Sequence, residues 1–129
     1  PNGFLSIAVD IVDFCNANCK YCPAGREDRA RVNSNLPKDQ LYIKLELFED
    51  ILKKLVNYKL YSEFTNFHIY CLGEPCLHPK INDILMLLKK YGIHTAISTN
   101  ASVVPQFSPE SLESVDRFLI GSMDSTLRK

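Results

Sequence analysis

The sequence predicts an α/β domain built on a parallel β-sheet, and three observations carry that expectation. Apolar runs of strand length alternate with amphipathic stretches of helix length, in the order β-α-β-α-β-α-β. The first run is apolar at nearly every residue, as a strand covered on both faces requires. Polar clusters follow each of the four strands, at the end of a parallel sheet where ligands collect.

The first strand is expected over residues 5–12, where Leu5, Ile7, Ala8, Val9, Ile11 and Val12 leave little room for a polar face. Residues 26–38 are charged and irregular, with Arg26, Arg29 and Arg31, and read as a solvated loop. A helix is expected over 44–58, because Phe48, Ile51, Leu52 and Leu55 recur at one-face spacing. Lys53, Lys54 and Lys59 take its exposed side and suit the negative end of its dipole. The second strand, 66–72, stops at Gly73-Glu74-Pro75. Ile81, Ile84, Leu85 and Leu88 define a second helix over 80–91, with Pro79 in its first turn and Gly92 ending it. Residues 93–98 form the third strand, ahead of Thr99-Asn100. Ser108 caps a short helix that starts with Pro109, and 117–120 form the fourth strand.

Composition narrows the function classes. Fifteen basic residues balance fifteen acidic ones, so no net field draws nucleic acid or an anionic membrane. No apolar run approaches the length of a membrane span. The apolar N-terminal run lacks a basic flank and is broken by Asp10, unlike a signal peptide. Five cysteines, three of them clustered, argue against a secreted disulfide framework and for a reducing compartment, with the cytoplasm expected.

The chemistry concentrates in Cys15-Asn16-Ala17-Asn18-Cys19-Lys20-Tyr21-Cys22-Pro23. Alternating strand side chains do not converge at a C-x3-C-x2-C spacing, so the thiols belong on a tight loop leaving the first strand. Thiolates are soft ligands that select zinc, copper(I) or iron–sulfur clusters. A structural zinc site usually pairs C-x2-C with a second, distant pair of ligands, and no close second pair follows here. Cys71 lies in an apolar strand and Cys76 in a turn, and both read as structural. His78 reads as a turn residue, while His68 and His94 have no ligand spacing.

The cysteine loop, with Tyr21 before its last thiol, resembles that of the radical S-adenosylmethionine (radical SAM) superfamily. The resemblance implies that Cys15, Cys19 and Cys22 hold a [4Fe–4S] cluster whose open iron takes the amine and carboxylate of S-adenosylmethionine, with Tyr21 against adenine. Gly73-Glu74-Pro75 resembles the family's Gly-Gly-Glu-Pro motif, with Leu72 in place of the first glycine, and implies that Gly73, Glu74 and Pro75 bind the cofactor, the backbone and the Glu74 acid holding the methionyl amine. Ser98-Thr99-Asn100 is similar to the third-strand end, where Ala101 replaces the usual glycine. Ser122 and Asp124 resemble a Ser-x-Asp arrangement after the fourth strand. Ser98, Asn100, Ser122 and Asp124 are thereby implied as cofactor contacts.

The implied fold is a partial (β/α) barrel, the N-terminal part of a six-unit radical SAM core. The implied activity is reductive cleavage of S-adenosylmethionine to a 5′-deoxyadenosyl radical that abstracts hydrogen from a substrate, either a peptide or a small metabolite. An electron donor such as flavodoxin or ferredoxin is the implied partner. The rival from another class is a non-catalytic module in which the cysteines hold zinc or a structural cluster; a scaffold that binds the cofactor without cleaving it is a third alternative. At roughly 30 residues per βα unit, the chain has room for about four units. It opens at Pro1 and ends five residues past Asp124. The expectation is therefore a C-terminally truncated portion, residues 1–129, whose fourth strand leaves an open edge.

Overall fold

A computed structural model describes residues 5–15 and 37–121. Four strands, β1 (Ser6–Ala8), β2 (Asn66–His68), β3 (Thr95–Thr99) and β4 (Val115–Ile120), form one sheet in the order β1-β2-β3-β4. Every neighbouring pair is parallel. Between them run α1 (Leu45–Asn57), α2 (Ile81–Lys90) and the single turn α3 (Pro109–Leu112), so the expected alternation holds throughout.

One face of the sheet carries the core. Phe67, Ile69 and Ile97 pack with Phe48, Leu52 and Leu55 of α1 and with Ile81, Ile84, Leu85 and Leu88 of α2. These are positions that the helical periodicity marks; Ile51, marked by the same spacing, is half-buried against this core. Gly92, at φ +67°, ends α2 in the left-handed conformation that glycine adopts without strain, and the Ile93 N–H caps the Leu88 carbonyl at 2.9 Å. The α2 cap is Lys80, so Pro79 stands just ahead of the helix rather than in its first turn. Ser108 caps α3 as expected, its hydroxyl accepting from Ser111 N at 3.3 Å. Asn82 of α2 ties that turn down by accepting from Ser108 N and Ser111 Oγ.

The strand expectations need correction, and β3 runs over Thr95–Thr99 rather than 93–98. The first run is not a strand covered on both faces: β1 is three residues long, and Ser6 and Ala8 are exposed. Residues 11–13 leave the sheet to bond the segment before α1 instead, with Asp13 N donating to Leu41 O and Ile43 N to Ile11 O. The face opposite the helices carries Ala8, His68 and Ala96 in register. The second strand stops at His68, so Cys71 is an exposed loop residue rather than a small hydrophobe within a strand. β4 begins two residues earlier than expected, at Val115, and lies at the sheet edge with Ile120 71% exposed.

Candidate functional site

Three chain segments meet beyond the C-terminal ends of β1, β2 and β3. The carboxylate of Asp10 reaches across from the end of the β1 segment. It accepts from the backbone N–H groups of Cys71 and Leu72, each at 2.9 Å, and of Gly73 at 3.2 Å. Those three donors are therefore taken from the sheet ladder, so β2 does not run on to Leu72. Gly73 is required there by close approach: a Cβ at this position would stand 1.7 Å from the Val12 carbonyl oxygen. The Glu74 N–H then donates to Phe14 O at 2.9 Å. The approach to the cysteine loop and the Gly-Glu-Pro turn are thus fixed to one another by backbone and carboxylate bonds.

Glu74 is 4% exposed, the one buried carboxylate among the described residues. Its Oε1 accepts from Cys76 N at 3.3 Å and from the Thr99 hydroxyl, and its Oε2 accepts from Asn100 N at 3.1 Å. A buried charge with three protein donors is compensated in place, and it joins the ends of β2 and β3. Pro75 opens the one-turn 3₁₀ helix Pro75–Leu77 that Glu74 caps. Cys76 lies inside this turn, where burial pushes its thiol pKa up and the Glu74 charge adds to the rise. Both effects favour the neutral thiol in the metal-free protein.

Asn100 carries the connection on to the cysteines. Its Nδ2 donates to Cys15 Sγ at 3.6 Å, while its Oδ1 accepts from Ser102 N at 2.9 Å and Ser102 Oγ at 2.6 Å. Ala101 follows at φ +58°, a left-handed conformation costly for a residue with a Cβ. This is the position at which the resemblance notes alanine for glycine. His78 locks the other flank: Nδ1 accepts from Lys80 N and Nε2–H donates to Ile43 O, both at 3.0 Å. Its ring meets Tyr42 edge-on at 5.6 Å, and Tyr42 meets Phe14 edge-on at 5.7 Å. Burial lowers the His78 pKa, so the ring is neutral near pH 7.

The structure thus brings Cys15, Gly73, Glu74 and Asn100 together and places Pro75 just behind them. Ser98 is half-buried within β3. Cys19, Tyr21, Cys22, Ser122 and Asp124 lie outside the described residues. Among the described residues no three His, Cys, Asp or Glu side chains are grouped to hold a metal, as follows when two of the three clustered thiols fall outside. Sequence reasoning missed Asp10 and Thr99. The signal for Asp10 was its charge, set in an otherwise apolar run.

The model of the Radical SAM superfamily matches residues 9–121, most of the chain and all three of these segments. The chain belongs to that superfamily. A curated relative, UPF0026 protein MJ1312 of Methanocaldococcus jannaschii, is 26% identical over 92 residues, which make up 70% of this chain and 27% of that protein. Among solved structures, BtrN in complex with AdoMet and 2-DOIA superposes with a TM-score of 0.63 at 18% identity, over 92% of this chain and 46% of that one. Streptococcus suis SuiB bound to precursor peptide SuiA gives 0.62 at 22% identity, over 89% of this chain and 24% of that one. The chain therefore spans less than half the length of each of these proteins. The structural neighbours are radical SAM (β/α) barrel proteins, and this radical SAM chain has the corresponding partial-barrel sheet.

Radical SAM proteins use a [4Fe–4S] cluster and S-adenosylmethionine. The described residues fit that pair by donor chemistry. Cys15 offers a soft sulfur at the C-terminal end of the sheet, beside an amide donor. Glu74 offers a buried negative charge, with three donors on its two oxygens and acceptor capacity left on Oε2.

Proposed function

We propose that this chain is the cluster- and cofactor-binding portion of a radical SAM enzyme. When bound, the cluster and S-adenosylmethionine supply reductive cleavage of the sulfonium, giving methionine and a 5′-deoxyadenosyl radical that takes a hydrogen atom from a substrate. Cys15, Cys19 and Cys22 are the three thiolate ligands. Glu74 holds the methionyl ammonium through the acceptor site left on Oε2, while its other bonds keep the carboxylate from turning away. Gly73 and Pro75 shape the turn that carries it. Asp10 positions the same turn from beneath. Tyr21, Ser98, Asn100, Ser122 and Asp124 are the further contacts to the cofactor.

The observation that carries this reading is the meeting of Cys15, Asn100 and Glu74 in a chain of this family, with the Asn100 amide bonded to Cys15 Sγ and its backbone N–H to Glu74 Oε2. The substrate is a peptide or a small metabolite: SuiB was solved with a precursor peptide and BtrN with 2-DOIA. An electron donor of the flavodoxin or ferredoxin type and a reducing, cytoplasmic setting complete the reading. Further strands of a longer barrel, beyond β4, supply much of the substrate pocket.

The test is anaerobic reconstitution with iron, sulfide and zinc all supplied, followed by reduction in the presence of S-adenosylmethionine. Iron and acid-labile sulfide in cluster stoichiometry, and 5′-deoxyadenosine as a product, are expected. Cys15→Ala removes the cluster, and Cys76→Ala leaves it. Stoichiometric zinc without iron would overturn the reading in favour of a non-catalytic metal module. A loaded cluster that binds the cofactor but forms no 5′-deoxyadenosine would leave a scaffold without cleavage chemistry.

A further inference from the structure

Asn100 is held by its own network, and that network settles which end of its amide faces the cysteine. Two donors from Ser102, the backbone N–H at 2.9 Å and the hydroxyl at 2.6 Å, converge on one amide atom. An atom that receives two hydrogen bonds is the oxygen, so the NH₂ group is the end directed at Cys15. The backbone N–H of the same residue is anchored on Glu74 Oε2 at 3.1 Å. The donor is therefore fixed at both main chain and side chain, and its 3.6 Å approach to Cys15 Sγ falls within hydrogen-bonding range for sulfur.

From this geometry we infer that Asn100 sets the reduction potential of the cluster by donating a hydrogen bond to the Cys15 sulfur. The inference rests on Cys15 being a cluster ligand, as proposed above. Reduction of the cluster by one electron adds negative charge that spreads onto its sulfur ligands. A fixed N–H donor stabilises the more negative form more than the less negative one, so it raises the potential. Asn100 thereby acts as a positioning and tuning residue through Cys15. The bond links the potential to Glu74, because the carboxylate that reads the ammonium also anchors the residue that touches the ligand sulfur.

The test is a redox titration of the reconstituted protein with S-adenosylmethionine absent, so that loss of a cofactor contact cannot produce the result. Asn100→Leu removes the donor without adding charge, and Asn100→Asp removes it while keeping the acceptor that Ser102 binds. Ser102→Ala removes one partner of Oδ1 and leaves the backbone bond that orients the amide. Both Asn100 variants are expected to load iron fully and to titrate at a lower potential than the parent, with Ser102→Ala unchanged. The reduced parent should also show, by electron–nuclear double resonance, an exchangeable-proton coupling that both Asn100 variants lack.

An unchanged potential in a fully loaded Asn100 variant would overturn the inference. So would an equal shift in Ser102→Ala, which would mark a loop effect, or failure of both Asn100 variants to load, which would make the residue structural. A parent protein that takes up no iron would instead overturn the assignment of Cys15, a separate outcome.

Discussion

The junction at the ends of β1–β3 and the outer edge at β4 are built in opposite ways. At the junction, side chains bridge segments 35 to 85 residues apart: Asp10 to residues 71–73, His78 to Ile43, Asn100 to Cys15. At the edge, β4 is joined to β3 through a parallel backbone ladder, while Phe118, Leu119 and Ile120 are 42%, 44% and 71% exposed. The Phe107–Phe118 ring contact at 5.6 Å is the aromatic support there. The difference teaches that side-chain hydrogen bonds, rather than strand pairing alone, join the described segments where ligands are proposed to bind. Polar side chains bonded between segments add to the ring packing at that end of the sheet.

The largest effect on this contrast is expected from Glu74→Gln. Donors face both carboxylate oxygens, so an amide in that place must direct its NH₂ at the backbone N–H of either Cys76 or Asn100. A loss of about 1–3 kcal/mol in stability follows, measurable by urea denaturation. S-adenosylmethionine binding to the reconstituted variant should weaken about tenfold, or 1.4 kcal/mol, with iron content unchanged. Unaltered affinity in that titration would remove Glu74 from the cofactor site.

Next in size is the pH response of the His78 clamp. Burial holds the folded-state pKa below the ordinary 6.5. As pH falls below that value the unfolded chain takes up a proton that the folded chain refuses, so stability drops until the folded pKa is passed. The slope is at most about 1.4 kcal/mol per pH unit from this one group. Urea midpoints between pH 7 and 5 should fall less steeply in His78→Gln than in the parent. Identical slopes would show that the ring is not the acid-sensitive element of the junction.

Ala101→Gly should act in the opposite direction. Relief of a left-handed alanine is worth roughly 1–2 kcal/mol, and the added freedom of the unfolded chain returns about 0.4–1 kcal/mol of it. A net stabilisation of up to about 1.6 kcal/mol is expected, seen as a raised melting temperature. A destabilised Gly variant would mean that the alanine methyl makes a contact worth more than the strain. The smallest effect belongs to the edge: Ile120→Ser should stay within about 0.5 kcal/mol. A loss well beyond that would show that β4 is covered in the working protein.

The parts of this architecture that repeat were legible in the sequence, and the parts that join distant segments were not. Phe48, Leu52 and Leu55, or Ile81, Ile84, Leu85 and Leu88, announce a buried helix face by spacing alone, and all seven are buried. Cys15 and Glu74 were legible because a motif surrounds each. Strand ends were harder. β2 was expected to run on to Leu72, since nothing local tells an apolar residue that its N–H will be taken by Asp10, sixty-odd residues earlier in the chain. The same long reach hid Asp10 itself, and it hid Thr99, whose hydroxyl finds its acceptor on the turn that follows β2.

The Asp10 clamp has a consequence on the far side of the chain it holds. All peptide bonds among the described residues are trans, and in a trans peptide the carbonyl points opposite to the N–H of the next residue. With the N–H groups of Cys71, Leu72 and Gly73 gathered around one carboxylate, the carbonyls of Tyr70, Cys71 and Leu72 are turned outward from it. An anion bound within the fold thus polarises a short run of backbone, positive side inward and negative side outward. The outward side is a fan of acceptors, produced by main chain alone and indifferent to which side chains stand at positions 71 and 72.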